Sequence, residues 1–137
     1  MTQAISPQTA LIYVMVLVSA ADASMSDNEL RTIGNIVGTF PVFSGMDKER
    51  LIKAAEECGA IMSEDDGLET VLGLAKDALP EKLRETAYAF AVEVATADDR
   101  LGQEELRVLE LIRARLSIDR LAAGAIERSA RARHMRA

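Results

Sequence analysis

Four acidic residues recur in pairs at two places in the chain. Residues 21–31 read ADASMSDNELR and residues 97–107 read ADDRLGQEELR, so one short sequence motif occurs twice. We call this repeated motif the doubled phrase. Nothing in a helical hairpin as such demands two carboxylates in each copy. Carboxylates are hard oxygen ligands, so the doubled phrase predicts binding of a divalent cation such as calcium. The acids shared by the two copies are Asp22, Glu29, Asp98 and Glu105.

Each of these acids also has a structural explanation. Ser26 and Glu29 form a capping-box pattern, in which the serine caps a helix and the glutamate reaches back from the third helical position. Glu105 occupies the same position in the second copy. Asp22 and Asp98 could accept backbone N–H groups of the turn that follows each of them. The two interpretations are compatible, because a capping carboxylate has a second oxygen to offer a cation.

The spacing differs from that of an EF-hand loop, which needs oxygen ligands at positions 1, 3, 5 and 12 and glycine at position 6. Counting from Asp22, position 6 is Asp27 and position 12 is Ile33. Counting from Asp98, the twelfth residue is Leu109. We call residues 21–31 and 97–107, where one helix is predicted to end and the next to begin, the two corners. A cation bound at these corners must therefore be coordinated with a geometry other than that of an EF-hand.

Glu93 is the most informative single acid, since it stands between Val92 and Val94 on a nearly all-apolar helix. Burying an unpaired carboxylate is costly, so Glu93 must reach a cation, a hydrogen-bond donor or the surface. Arg31 and Arg107 are the candidate ion-pair partners. A metal or partner site is the alternative, and Glu93 therefore joins the corner acids as a candidate metal ligand.

Catalysis finds little support in the sequence. The one histidine, His134, lies near the C-terminus, and no serine or cysteine has a visible base. There is no glycine-rich phosphate loop and no zinc motif. Cys58 is interpreted as a small buried hydrophobe. We predict that the protein is not an enzyme and that its one possible cofactor is a divalent cation.

Charge is divided unevenly along the 137 residues. Residues 1–110 hold nine Lys/Arg against 20 Asp/Glu, whereas residues 111–137 hold seven Arg against two acids. An acidic body repels nucleic acid and anionic lipid, so neither is an expected partner. The basic C-terminal helix either packs across the acidic bundle and balances its charge, or binds something anionic.

The expected compartment is the cytoplasm. A single cysteine cannot form an internal disulfide and is typical of a reducing environment. The longest apolar run, residues 10–21, is shorter than the roughly 20 residues of a membrane span. An acidic corner also follows this run where a secretory cleavage site would lie. We therefore expect a soluble protein.

The hydrophobic periodicity predicts an all-α, single-domain bundle of about seven helices over residues 1–137, with two pseudo-repeated helical hairpins. Repeat one covers about 8–40, repeat two about 81–116, and a basic helix covers 118–134. Apolar residues 40–43 are predicted to plug the core. Ser117 is predicted to cap the last helix, whose inward face is predicted to hold Leu121, Ala122, Ala125, Ile126 and Ala130. The other predicted helices cover about 7–22, 26–39, 48–62, 68–78 and 81–97, with a sixth opening at 102–105.

With its doubled corner, the chain resembles the TerB-like (tellurite-resistance protein B) family over roughly residues 11–126. The matching segments include residues 85–95, ETAYAFAVEVA, and residues 104–107, EELR. The resemblance implies an all-α bundle of about seven helices with acidic corners suspected of metal binding. It also implies a role in tellurite resistance or a wider stress response. A related domain in some membrane-anchored co-chaperones serves as an interaction module.

This chain departs from the family's usual Asp-Gly corner, because Ala23 and Asp99 follow the two aspartates. Losing glycine removes the easy left-handed backbone position, which aspartate tolerates better than alanine does. A metal loop carried over from relatives is therefore better supported in the second copy.

The sequence predicts a non-enzymatic stress-response protein that binds a divalent cation through its acidic corners. The alternative is a helical protein-interaction module whose corner carboxylates are purely structural. In that case the arginine-rich last helix or the 40–43 loop meets the partner. A protein partner is expected under both hypotheses, and a homodimer is an open alternative.

Overall fold

α1 (Pro7–Ser19) occupies the middle of the bundle in a computed structural model of the chain. Its start follows from the sequence. The Oγ of Ser6 accepts the N–H of Thr9 at 3.1 Å, and Pro7 fills the first turn, where a missing N–H is no loss. Residues 10–18 are all at most 3% exposed, so neighbours enclose this helix on every side.

The structure describes residues 4–21, 26–97 and 101–137. Every regular element among these residues is a helix, which confirms the predicted all-α class and its seven helices. The elements after α1 are α2 (Asp27–Thr39), a 3₁₀ turn (Pro41–Phe43), α3 (Lys48–Met62), α4 (Gly67–Ala78), a 3₁₀ turn (Glu81–Leu83), α5 (Arg84–Ala95), α6 (Gln103–Arg115) and α7 (Arg120–Arg133).

α5 is the second central helix. Apolar residues cover most of its circumference, and it packs against α1 on one side and against α2, α6 and α7 on others. α1 also packs against α3 and α4. The outer helices are amphipathic and bury one face each. α1 and α5 together therefore position every other element of the bundle.

The prediction that residues 40–43 enter the core is confirmed for one aromatic ring and wrong for the other. Phe43 is 2% exposed, and its ring centroid lies 5.9 Å from that of Phe90. Phe40 lies 5.1 Å from the same ring but stays 45% exposed. The segment seals the edge of the core rather than filling it.

Several helix boundaries differ from the prediction, among them the end of α1 and both ends of α5, which stops at Ala95 instead of about residue 97. α1 ends at Ser19 instead of about residue 22. α5 begins at Arg84 instead of about residue 81, because the residues after Pro80 form a 3₁₀ turn before the α-helix starts. Short 3₁₀ turns of this kind are frequent at the N-termini of α-helices.

The predicted cap of the last helix is wrong. Ser117 has a φ of 56° and closes α6: the N–H of Ile118 donates to the carbonyl oxygen of Arg113 at 3.0 Å. A left-handed residue after a helix is a C-terminal stop, whereas an N-cap has extended backbone. Asp119 is the actual cap and accepts the N–H of Ala122 at 3.3 Å.

The inward face of α7 also differs from the prediction. Leu121, which was expected to face the core, is 81% exposed. Ile126 and Ala130, also predicted to face inward, do so, whereas Ala125 is exposed. The face that contacts the bundle passes through small or partly buried residues three and four apart. These residues are Ala123, Ile126 and Ala130.

Candidate functional site

The first corner is held by a complete capping box, as predicted. The Oγ of Ser26 accepts the N–H of Glu29 at 3.1 Å, and the N–H of Ser26 donates to Oε1 of Glu29 at 3.0 Å. Two of the amides that α2 leaves without helical partners are thereby satisfied. The Glu29 side chain lies at the start of α2 with its carboxylate turned back over the corner.

The second corner repeats half of this arrangement. Oε1 of Glu105 accepts the N–H of Gly102 at 3.1 Å, as Glu29 does for Ser26. Glycine has no side chain, so the reciprocal bond of the first corner cannot form here. The glutamate is therefore the element that both corners share.

Burial separates these two glutamates from the other acids. Glu29 is 2% exposed and Glu105 is 5% exposed, and among the described residues no other charged residue is buried to this degree. A capping glutamate needs only to reach back over the first turn, which an exposed side chain does equally well. Burial of both carboxylates is therefore more than capping requires.

The two corner aspartates, Asp22 and Asp98, lie outside the described residues. The metal site predicted from all five acids thus stays a prediction. Among residues 4–21, 26–97 and 101–137, no three side chains of His, Cys, Asp or Glu are grouped in a way that could hold a metal ion.

Glu93 makes different contacts from those predicted. Its carboxylate pairs with Arg133, and Nε2 of His134 lies 3.4 Å from its other oxygen. Arg31 and Arg107, the expected partners, are not its partners. The ion pair joins α5 to the C-terminal end of α7, at the edge of the core where the Glu93 side chain is still 26% exposed.

A second polar contact joins the same two helices. The hydroxyl of Tyr88 on α5 donates to Oε2 of Glu127 on α7 at 2.5 Å. Two effects raise the pKa of Tyr88: burial of the phenol, which is the larger, and this hydrogen bond to a carboxylate. Arg113 of α6 lies 3.8 Å from the same carboxylate oxygen. Glu127 therefore links three helices.

Cys58 is fully buried on α3, as predicted. Its Sγ lies 3.8 Å from the carbonyl oxygen of Tyr13, and burial raises the pKa of the thiol to about 12. A thiol with that pKa is protonated at neutral pH and is a poor nucleophile.

An open groove of about 890 Å³ lies between α6 and α7, with α5 as its floor. α6 and α7 each pack on α5, but their backbones hardly approach each other. Sequence reasoning missed this groove, because it assigned Leu121 to the core and so misplaced the outer face of α7. The signal was present as a row of residues three and four apart, at positions 124, 128, 131 and 135.

The fold and its corners define an all-α protein in which two helices each carry a buried glutamate in the first turn. Residues 8–128 match the family model described as tellurite resistance protein TerB. The chain belongs to this family, which confirms the resemblance. No curated protein and no solved structure matches the chain.

In the part of the chain that the structure describes, every helix is too short or too polar to cross a membrane.

Proposed function

We propose that this chain is a non-enzymatic, cytoplasmic protein of the tellurite or wider stress response that binds a divalent cation at its acidic corners. The observation that carries the proposal is the burial of Glu29 and Glu105 at equivalent positions of the doubled phrase. The stress-response role is carried over from the family.

Burial makes a carboxylate costly unless it is paired. Glu29 accepts one backbone N–H through Oε1, and no Lys, Arg or His of the described residues forms an ion pair with it. Its second oxygen is a further hard donor of the kind that calcium and magnesium prefer. A bound cation would offset the buried charge and hold the corner closed.

The ligands that we propose are the glutamate and the aspartate of each corner, Glu29 with Asp22 and Glu105 with Asp98. Glu93 is left out of this set. Its carboxylate is already paired with Arg133, and a cation placed there would be repelled by the guanidinium.

Two observations support a role without catalysis. His134, the one histidine in the sequence, contacts Glu93 at the end of α7. Cys58 is the one cysteine, and its buried thiol has a pKa raised to about 12. The thiol is therefore a poor nucleophile at neutral pH, and the imidazole lies against a carboxylate that is already paired with Arg133.

Calorimetric titration of calcium, magnesium, manganese and zinc into metal-free protein tests the proposal. We expect binding heat with at least one ion, and loss of the second corner's share of that heat in the double variant Asp98→Asn with Glu105→Gln. Glutamine keeps an oxygen that can accept the Gly102 amide, so the variant removes charge while retaining the cap.

The matched control is Asp77→Asn with Glu81→Gln, which makes the same charge change at two exposed positions. It should bind the cation as the wild-type chain does. The corner variant should also fail to restore tellurite tolerance to cells that lack the gene, whereas the control should restore it. An absence of heat with all four ions, or equal heat from the corner variant and the wild type, contradicts the proposal.

A further inference from the structure

We propose that the groove between α6 and α7 binds an acidic amphipathic helix of a partner protein. This inference goes beyond cation binding and does not depend on it, because neither Glu29 nor Glu105 lines the groove.

Two helical rows form the facing walls of the groove. Leu106, Leu109 and Arg113 of α6 are three and four residues apart, and so are Arg128, Arg131 and Met135 of α7. Residues at this spacing lie on one helix face. The groove is therefore lined along its length by one face of each wall helix.

The mouth of the groove carries unpartnered apolar surface. Leu106 is 41% exposed, Leu101 is 38% exposed and Met135 is 68% exposed. Below them the floor and lower wall are apolar and buried, with Val92 at 4% and Leu109 at 7% exposure. Contiguous apolar surface rimmed by polar side chains is typical of an interaction site.

The charge of the α7 wall selects the partner. Arg128 and Arg131 are exposed, and neither forms an ion pair with a carboxylate of the described residues. Glu127 is already engaged by the Tyr88 hydroxyl and lies 3.8 Å from Arg113. Two guanidinium groups are therefore available, against one further exposed carboxylate of the lining, Glu110, on the α6 wall. Charge complementarity calls for carboxylates in the partner.

The shape of the groove favours a helix as the occupant. Two helices that separate above a third leave a trough of the kind that receives an amphipathic helix, which inserts apolar residues at positions i, i+3 or i+4, and i+7. At Gly124, in the α7 wall, a Cβ would meet no atom within 4 Å, so a partner backbone can approach closely there. Nucleic acid fits poorly, because the apolar floor offers nothing to phosphate and the acidic body repels it.

The test uses the full-length chain and a designed probe. The probe is a fluorescein-labelled helical peptide of about 18 residues, long enough to form a helix. Leucines recur every third or fourth residue along one face, and glutamates flank them. The matched probe replaces every glutamate with lysine. Fluorescence anisotropy gives the affinity, and NMR amide shifts locate the contact. We expect the acidic probe to bind more tightly and to shift residues of α6 and α7 that line the groove.

The double variant Arg128→Glu with Arg131→Glu reverses the charge of the α7 wall. It should lower the affinity for the acidic probe by about tenfold or more and raise the affinity for the basic probe. Both side chains are exposed, so the fold should be unaffected. The control, Arg120→Glu, changes an exposed arginine of the same helix that does not line the groove, and should leave both affinities within about twofold of wild type.

Four results would overturn the proposal. The first is no binding of either probe, and the second is equal binding of both. The third is a groove already filled by a second copy, seen as a dimer in sedimentation with groove signals that change with protein concentration. The fourth is binding to phosphatidylglycerol vesicles without binding to the acidic peptide.

Discussion

Cys58 shows how burial alone decides the chemistry of a reactive group. The thiol is fully buried on α3 against the backbone of α1, and loss of solvent around the charged form raises its pKa from 9.0 to about 12. Between about pH 9 and pH 12 the folded protein therefore keeps the Cys58 proton, whereas the unfolded chain loses it. The stability that follows from this difference is fully present below pH 9 and is lost as the pH rises toward 12.

Replacing Cys58→Ala should remove that dependence. We expect the variant to be less stable than the wild-type chain at pH 8, because it leaves a small cavity, and the difference between the two proteins should shrink between pH 9 and 12. Urea unfolding of both proteins at a series of pH values measures this difference in the free energy of unfolding. Tyr88, whose pKa is also raised, titrates in both proteins and cancels in the comparison. Tyr13 lies close to Cys58, whose charge contributes to the raised pKa of that phenol, so part of the Tyr13 titration belongs to the measured difference. A difference that is constant with pH would contradict the raised thiol pKa.

Glu93 illustrates what residue-level reasoning from the sequence can and cannot reach. The sequence predicts that a carboxylate between two valines on an apolar helix needs a partner, and it has one. The identity of that partner could not be predicted from local pattern. Arg133 lies far along the chain, and the packing of α7 on α5 brings it to Glu93. The capping contacts of Glu29 and Glu105 were predictable because their geometry is local.

At the scale of elements, the tight turn between α3 and α4 depends on one glycine, Gly67. A Cβ on Gly67 would lie 2.3 Å from the carbonyl oxygen of Ile61 and 2.7 Å from Cα of Met62. These are backbone atoms, so they cannot rotate away as a side chain would. Asp66 beside it has a φ of 57°, which completes the tight reversal.

Two glycine substitutions in α4 should therefore act in opposite directions. Gly67→Ala should lower the free energy of unfolding by about 1–3 kcal/mol, because the backbone of α3 must move. Gly73→Ala, where a Cβ would meet no atom within 4 Å, should raise it by about 0.5–1 kcal/mol through better helix propensity. Urea denaturation of the two variants and the wild type measures both effects. Equal stability of Gly67→Ala and the wild type would show that the turn can relax.

Helix boundaries were predictable where capping residues and apolar period agree. α3 runs from Lys48 to Met62 as predicted, because Asp47 caps it and a polar turn ends it. α7 was predicted less well. Alanines recur so often on this helix that several faces look equally suited to the core, so Leu121 was placed on the wrong one. The groove that this outer face borders could not be predicted for the same reason.

At the scale of the whole molecule, α1 and α5 are mostly apolar and buried, so most of the charged surface lies on the other helices. α1 and α5 form the centre, so the acidic corners and the groove lie on helices that pack around them. The buried glutamates at the starts of α2 and α6 are the charged residues that this core encloses among the described residues. We propose that these corners bind a cation and that the groove binds a partner.

The central claim is that a cation binds at the corners and not merely to an acidic surface. Paramagnetic broadening by Mn²⁺, followed residue by residue in NMR spectra of the full-length chain, tests this most directly. At low Mn²⁺ the amide signals of residues 26–29 and 102–105 should broaden first, before those of Glu64, Asp65 and Asp66, an acidic turn outside the corners. Broadening that is strongest at this turn, or that is uniform over the acidic surface, would contradict the account.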